Sequence, residues 1–321
     1  MEIIQLQKSH LEEVASLWNN DIEVQGQGYQ TYTISYQRLM NIMEDENFLP
    51  SGALVAVSNG RLVGFALGYV QKADLRSEGD LEAKPGWLAG LAVRPDCWRQ
   101  GVGRALLEAL ESALQKAGKS AAGFQTYRMP ISLVHGIYLD TYPYHFLLSC
   151  GYRSLEHELR LRNELSSFQL DRDILRRRRK LASEGIIYRW YQPNDKDNLL
   201  EFMARYFSGG WYTSIQQATD REPPARILLA LASDRIVAFM GPFYTSKPGQ
   251  AGSFGSPGVD TEFRRRGIGT VLVNLGLDYL KSVGASYTEY GTGVTNPARF
   301  IYLGTGAQLT SVYCCNFYKE L

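Results

Sequence analysis

Val93-Arg94-Pro95-Asp96-Cys97-Trp98-Arg99-Gln100-Gly101-Val102-Gly103 and Val259-Asp260-Thr261-Glu262-Phe263-Arg264-Arg265-Arg266-Gly267-Ile268-Gly269 align without a gap. Gly101 to Gly267 and Gly103 to Gly269 are both separations of 166 positions. Each stretch follows an apolar, strand-like run and opens a helical pattern. A strand feeding a glycine-rich turn at a helix N-terminus makes an anion cradle. Unpaired backbone N–H groups point outward there, and the helix dipole adds partial positive charge. Two such turns predict two domains, each with a place for a phosphate-bearing ligand.

The helices beyond the turns extend the repeat. Val102, Ala105, Leu106, Ala109, Leu110, Ala113 and Leu114 form one apolar stripe at helical spacing, and the same offset lands on Ile268, Val271, Leu272, Leu275, Gly276, Tyr279 and Leu280. Gly118 and Gly284 stand where each helix should stop. Shared turn, stripe and stop together indicate an internal duplication.

The 321 residues suffice for two domains with a core each, and a net charge of +1 gives no basic field suited to nucleic acid. Met-Glu-Ile-Ile-Gln-Leu-Gln-Lys lacks the basic and apolar regions of a secretory signal. No apolar run approaches the roughly 20 residues of a membrane helix. The four cysteines have no metal-ligand spacing, and the adjacent Cys314 and Cys315 read as packing in a terminal strand. The expectation is a reduced, cytoplasmic protein with no metal, nucleic-acid or membrane partner, either monomer or homodimer.

Both halves read in one order. Glu2 to Leu6 reads as a strand and His10 to Trp18 as a helix. Residues 53–57 and 61–69 form a hairpin around Asn59-Gly60, a polar loop runs from Lys72 to Gly86, and Trp87 to Val93 is the strand before the first turn. In the second half Ile186 to Trp190 is a strand, Asn198 to Tyr206 a helix, and residues 227–231 and 235–239 a hairpin. Ser253 to Val259 is the second motif strand, weakened by its glycines. The expected domains are 1–165 and 186–321, joined by a helix within 166–185. The run Arg176 to Lys180 reads as the solvated face of that helix.

Strand, R/Q-x-x-G-x-G/A and helix together resemble the acyl-CoA signature of the GCN5-related N-acetyltransferase (GNAT) superfamily. The chain is similar to a tandem member along nearly its whole length. The resemblance implies an α/β (α+β) fold of two GNAT-like domains, each a mixed, mostly antiparallel, splayed sheet flanked by helices. It implies acetyl-CoA as co-substrate, with pantetheine in the splay and pyrophosphate on the turn. Arg264, Arg265, Arg266, Gly267, Ile268, Gly269 and Thr270 carry this signature in full. Backbone N–H groups around Val259 and Thr261 are expected to polarise the thioester carbonyl. In the first copy Trp98 replaces the leading Arg or Gln, so the motif is partly degenerate. Val93, Arg99, Gln100, Gly101, Val102, Gly103 and Arg104 still offer a cradle.

Asn296-Pro297-Ala298-Arg299-Phe300-Ile301-Tyr302-Leu303-Gly304-Thr305-Gly306 resembles the family element N-x-x-A-x-x-x-Y-x-x-x-G. This implies Asn296 and Arg299 beside the donor and Tyr302 as general acid to the departing thiolate. The first half has Leu147 four residues before Gly151, and Leu147 carries no proton to give. That half also carries an insert within Tyr127 to Pro143; its His135, with Tyr142 and Tyr144, is a weaker source of chemistry. Glu289 is the candidate base, and Glu262 reads as solvated. Tyr206, Trp211 and Tyr212 are candidate walls for a small-molecule amine acceptor.

The leading expectation is acetyl transfer to an amine by direct attack, with chemistry in the C-terminal domain. The alternatives are an acyl-CoA sensor without turnover and catalysis in the N-terminal domain.

Overall fold

The computed structural model describes residues 1–23, 29–31, 33–70, 85–125, 133–207, 209–245 and 249–321. Most of the Lys72–Gly86 loop and the start of the insert, 126–132, lie outside these residues. In chain order the first elements are β1 (Glu2–Gln5), α1 (Leu11–Ser16), β2 (Tyr29–Thr31), α2 (Tyr36–Glu44), β3 (Phe48–Ser58), β4 (Arg61–Tyr69), β5 (Gly86–Val93), α3 (Val102–Lys116), β6 (Ala121–Gln125), β7 (Val134–Tyr138), α4 (Tyr142–Ser149) and β8 (Arg153–Glu164). They are followed by α5 (Arg172–Ser183), β9 (Ile186–Trp190), α6 (Lys196–Tyr206), α7 (Gly210–Thr219), β10 (Arg226–Ala232), β11 (Arg235–Thr245), β12 (Ala251–Phe254), β13 (Pro257–Val259), α8 (Ile268–Ser282), β14 (Tyr287–Gly293), α9 (Ala298–Leu303) and β15 (Gln308–Glu320).

The chain divides into two compact units, residues 1–158 with 312–321, and residues 159–311. This division differs from the expected 1–165 and 186–321. Residues 312–321 count with the first unit because β15 pairs there with β6, from Asn316↔Gln125 to Glu320↔Ala121. Lys319 anchors the strand by donating to both carboxylate oxygens of Glu111 on α3, at 2.9 and 2.7 Å.

In the first unit the strands run β1-β3-β4-β5-β6-β15, antiparallel except β5 with β6. In the second they run β8-β14-β12-β11-β10-β9, with β13 continuing the line of β12 along β11. Each sheet is thus mixed, mostly antiparallel and flanked by helices, as the duplication requires. The hairpin turns fall where expected, with positive φ at Asn59, Gly60 and Ser233.

The apolar stripes bury as their spacing dictates. Val102, Leu106, Leu110, Ala113 and Leu114 of α3, and Ile268, Val271, Leu272, Gly276 and Leu280 of α8, are all buried. Gly118 and Gly284 take positive φ and close the two helices with matching bonds, Lys119 N–H to Leu114 and Ala285 N–H to Leu280.

The expected strand Ser253 to Val259 is broken into β12 and β13. The cause is a close backbone approach at Gly255. Its N–H donates to Pro242 at 2.8 Å, and a Cβ there would lie 2.4 Å from the Gly241 carbonyl oxygen.

Both motif loops are clamped to the hairpin before them. Arg61 pairs with Asp96 at 2.8 Å, and Arg235 pairs with Asp260 and with Glu262, the latter at 3.4 Å. Asp96 and Glu262 are one position of the repeat. Asp260 is fully buried, whereas Arg61 and Asp96 are more than half exposed. Removing one partner of a buried pair strands the other. Arg235 is itself half exposed, and Asp260 keeps the Glu262 N–H, so Arg235→Ala is expected to lower unfolding stability by about 2 kcal/mol, and Arg61→Ala by less than about 1 kcal/mol. Urea denaturation of the two variants checks the contrast.

Candidate active site

The site begins where parallel pairing ends. Among the described residues β5 pairs with β6 at Gly86↔Ala122 and Trp87↔Gly123 alone, and β12 pairs with β14 at Ala251↔Tyr287 and Gly252↔Thr288 alone. Beyond those residues each motif strand separates from its neighbour and leaves a gap. Asp260 N–H donates to Val237 on β11. Strand alternation turns the polar groups of Val259 the other way, toward the gap. Thr261 starts the one-turn 3-10 helix that follows.

The two glycine turns have one backbone form. Arg99 and Arg265 have φ of 59° and 61°, and Gly101 and Gly267 both have φ of 86°. Glycine accepts this left-handed conformation without a steric cost. Trp98 does not disrupt it. Its indole Nε1 donates to the Val93 carbonyl at 2.7 Å, as Arg264 Nε donates to the Val259 carbonyl at 3.1 Å. Different side chains thus tie down the same strand end. Gly103 packs on Phe146 and Val93, and Gly269 packs on Ile301 and Val259. The helices α4 and α9 therefore meet their turns alike. Among the other residues of the signature, Arg99, Gln100, Arg104, Arg264, Arg265 and Arg266 are exposed, Val102 and Ile268 are buried, and Thr270 is half-buried on the first turn of α8.

Tyr302 lies on α9, buried, with its ring 4.6 Å from that of Tyr290 on β14. Burial raises the pKa of both phenols. Tyr290 donates to Asn163, and its ring also meets Phe254 on β12 at 5.1 Å. Phe254, Tyr290 and Tyr302 thus share the gap region of the second unit. Tyr290 was missed by the motif reading. The 166-residue offset from Phe124 points to it.

The first unit places apolar groups at the same positions. Phe124 stands for Tyr290 and Leu147 for Tyr302, and both line a small cavity with Leu88, Leu91, Val134, Ile137 and Phe146. Leu133 N–H donates to the Ala89 carbonyl at 2.9 Å, and its fully buried side chain packs against Gly90. Part of the motif strand's free edge is thereby occupied by the insert itself. The backbone of His135 falls on β7. Tyr142 is exposed and its ring meets Trp98 at 6.0 Å; Tyr144 packs on Phe317.

Glu289 has a different setting from that of an open base. Both its oxygens are engaged, Oε2 by Arg160 at 3.2 Å and Oε1 by Arg162 at 3.4 Å. Alternation along β14 also sets it on the face opposite Tyr290. Glu262 is exposed yet pairs with Arg235. Asn296 caps α9, its Oδ1 accepting from Ala298 N–H at 2.9 Å, and Arg299 lies over the Phe300 ring. Trp211 is exposed and stacked on Phe207, centroids 5.4 Å apart at 15°. Phe207 abuts Gly258 of the motif strand, 2.6 Å from where a Cβ would stand. Among the described residues no group of three or more His, Cys, Asp or Glu could hold a metal ion, and no helix is long and apolar enough to cross a membrane.

If the Trp98 bond stabilises the first turn, Trp98→Phe should lower unfolding stability by about 1 kcal/mol. Trp98→Arg, which restores a donor, should cost less; thermal or chemical denaturation of the pair is the check.

The profile of the acetyltransferase (GNAT) family matches residues 16–127 and 187–302, one match in each half. No curated protein matches the chain. Among solved structures, it is similar to the GCN5-related glucosamine N-acetyltransferase region of a fungal multi-domain GH3 β-N-acetylglucosaminidase, with 20% identity and a TM-score of 0.69 over 99% of this chain. The chain spans 38% of that protein's length. A GCN5-related N-acetyltransferase from Sphaerobacter thermophilus is 18% identical with a TM-score of 0.59, covering 99% of this chain and 95% of that one. A tandem GNAT protein from the clavulanic acid biosynthesis pathway is 16% identical with a TM-score of 0.58, covering 99% and 98%. At these identities the likeness is one of fold, and it extends over both halves.

Proposed function

The chain belongs to the acetyltransferase (GNAT) family, and from that premise we propose that it is an acetyl-CoA-dependent N-acetyltransferase acting on a small amine, with its chemistry in the second domain. The observation that carries the placement is the pair of phenols Tyr290 and Tyr302, where the first domain has Phe124 and Leu147. Only the second gap carries hydroxyl groups at these two positions. The occupation of the Ala89 carbonyl by Leu133 supports the same reading.

The residues of the second turn fit an anionic donor. Gly267 and Gly269 let the backbone come close, and Arg264, Arg265 and Arg266 flank it with charge. Acetyl-CoA brings the thioester whose acetyl carbon takes the amine nitrogen. In the proposal, Val259 N–H polarises the carbonyl from the gap side. Tyr302 holds the proton that a departing thiolate needs. Its raised pKa keeps that proton on through the neutral and mildly alkaline range. Glu289, held by two arginines, fixes the charge of the opposite face, and the amine proton passes to water. Trp211 and Phe207 offer the acceptor an aromatic wall beside the motif strand. The first domain serves as a structural partner.

Tyr302→Phe keeps the ring on Tyr290 and removes the proton. We expect kcat to fall by about 100-fold or more with acetyl-CoA affinity nearly unchanged. Unchanged turnover would remove Tyr302 from the mechanism. Burial raises this phenol above its ordinary value of 10.0, so it keeps its proton to higher pH than a free phenol does. The pH profile of kcat should therefore show no alkaline fall centred below that value from loss of this proton; a fall there that persists in Tyr302→Phe belongs to another group, and one that vanishes in it would contradict the raised pKa. Gly267→Asp should abolish turnover and Gly101→Asp should spare it. The reverse result would move the chemistry to the first domain.

A further inference from the structure

Arg177 stands on α5, outside both family matches, and its side chain lies over the second glycine turn. Its Nη1, Cδ and Cζ are 2.5, 2.7 and 3.3 Å from the place a Cβ would take on Gly267. At the equivalent Gly101 nothing comes within 4 Å. Among the described residues no side chain thus lies over Gly101, while Gly267 is covered by a cation from outside the motif.

The placement of α5 is fixed by contacts within the second unit. Leu181 is buried, and Arg266 of the turn donates to Glu184, the residue that ends α5, at 3.0 Å. Two other members of the basic run are paired on their own helix. Arg176 pairs with Asp173 on its own helix, and Lys180 lies 3.9 Å from Glu184.

The charge at this corner is out of balance. Arg177, Arg264, Arg265 and Arg266 gather at the N-terminus of α8, and among the described residues Glu184 is the one carboxylate paired with any of them. A helix dipole favours anions, not cations, at that end. Arginines gathered there without carboxylates repel one another and the helix terminus. An anion seated on the turn attracts each arginine and the helix terminus, and so offsets this repulsion. A guanidinium also matches phosphate oxygens with two parallel donors.

We infer that Arg177 is a phosphate-binding residue of the donor site, closing over the pyrophosphate of the nucleotide donor from the side opposite the backbone amides. This rests on the reading of the second turn as the acyl-CoA cradle. It adds that the linking helix, and not the motif alone, sets the donor affinity of this domain.

Calorimetric titration tests it with three probes: CoA, dephospho-CoA, which keeps the pyrophosphate, and S-acetylpantetheine, which has no phosphate. Arg177→Ala should weaken CoA and dephospho-CoA alike by about tenfold, about 1.4 kcal/mol, and leave S-acetylpantetheine unchanged. Arg177→Lys should recover part of the loss. Arg176→Ala, on the same helix but paired with Asp173, should bind CoA as the unaltered protein does. Arginine 177 is exposed on a helix and alanine is a strong helix former, so unchanged melting checks that the fold is kept. Unchanged CoA binding in Arg177→Ala overturns the inference, as does equal weakening of S-acetylpantetheine. Tighter CoA binding also overturns it and makes the side chain an obstruction. Loss for CoA without loss for dephospho-CoA overturns the pyrophosphate assignment. Failure of the donor reading is seen separately, as absence of CoA binding by the unaltered protein.

Discussion

Among the described residues, two residues of parallel pairing join the motif strand to its parallel neighbour in each unit. Where that ladder stops, the two strands diverge and a wedge opens inside the sheet. Backbone groups that a continuous ladder would satisfy are left facing the wedge. In the second unit the diverging strand β14 carries the buried Tyr290, whose ring meets the buried Tyr302. In the first, the chain supplies its own partner, since Leu133 N–H reaches the Ala89 carbonyl. The same interruption thus has two outcomes, set by what the following segment brings to it.

Around the wedge, the duplicated parts conserve geometry more closely than side chains. The turns agree to within a few degrees at their left-handed positions. The bond that ties the strand end down is kept although an indole makes it in one copy and a guanidinium in the other. The ion pair from hairpin to motif loop is kept as well, with Asp96 in one copy and Glu262 in the other. The groups that reach into the gap or over the turn differ in chemistry. Phe124 against Tyr290, Leu147 against Tyr302 and open space against Arg177 are the main cases.

This pattern explains what the sequence made legible. Turn, stripe and helix stop are local features, and residues within one helical turn or one hairpin determine them. Their positions were readable to within a residue or two. The break between β12 and β13 was not readable, because it comes from a close approach of Gly255 to the Gly241 carbonyl on the neighbouring strand β11, which strand periodicity does not report. The setting of Glu289 depends on Arg160 and Arg162, more than a hundred positions earlier. Arg177 looked like part of a solvated face because helical periodicity reports only which side is apolar. It says nothing about what a long exposed side chain can reach. Tyr290 was within reach of the sequence, since extending the repeat offset past the helix aligns it with Phe124.

The assignment of residues 312–321 to the first unit has a consequence for how the protein is made. During synthesis the first 158 residues emerge with β6 lacking its antiparallel partner and with Phe124 lacking the Phe317 ring it later meets. The whole second unit must be translated before that edge can be covered. At about 5–20 residues per second this leaves an open strand edge on the ribosome for on the order of ten seconds. The nascent chain is exposed to wrong pairing for that interval, and the charged Lys319–Glu111 contact forms only at its end. The two units are thus compact bodies of their own, but the first is completed only after the second has been made.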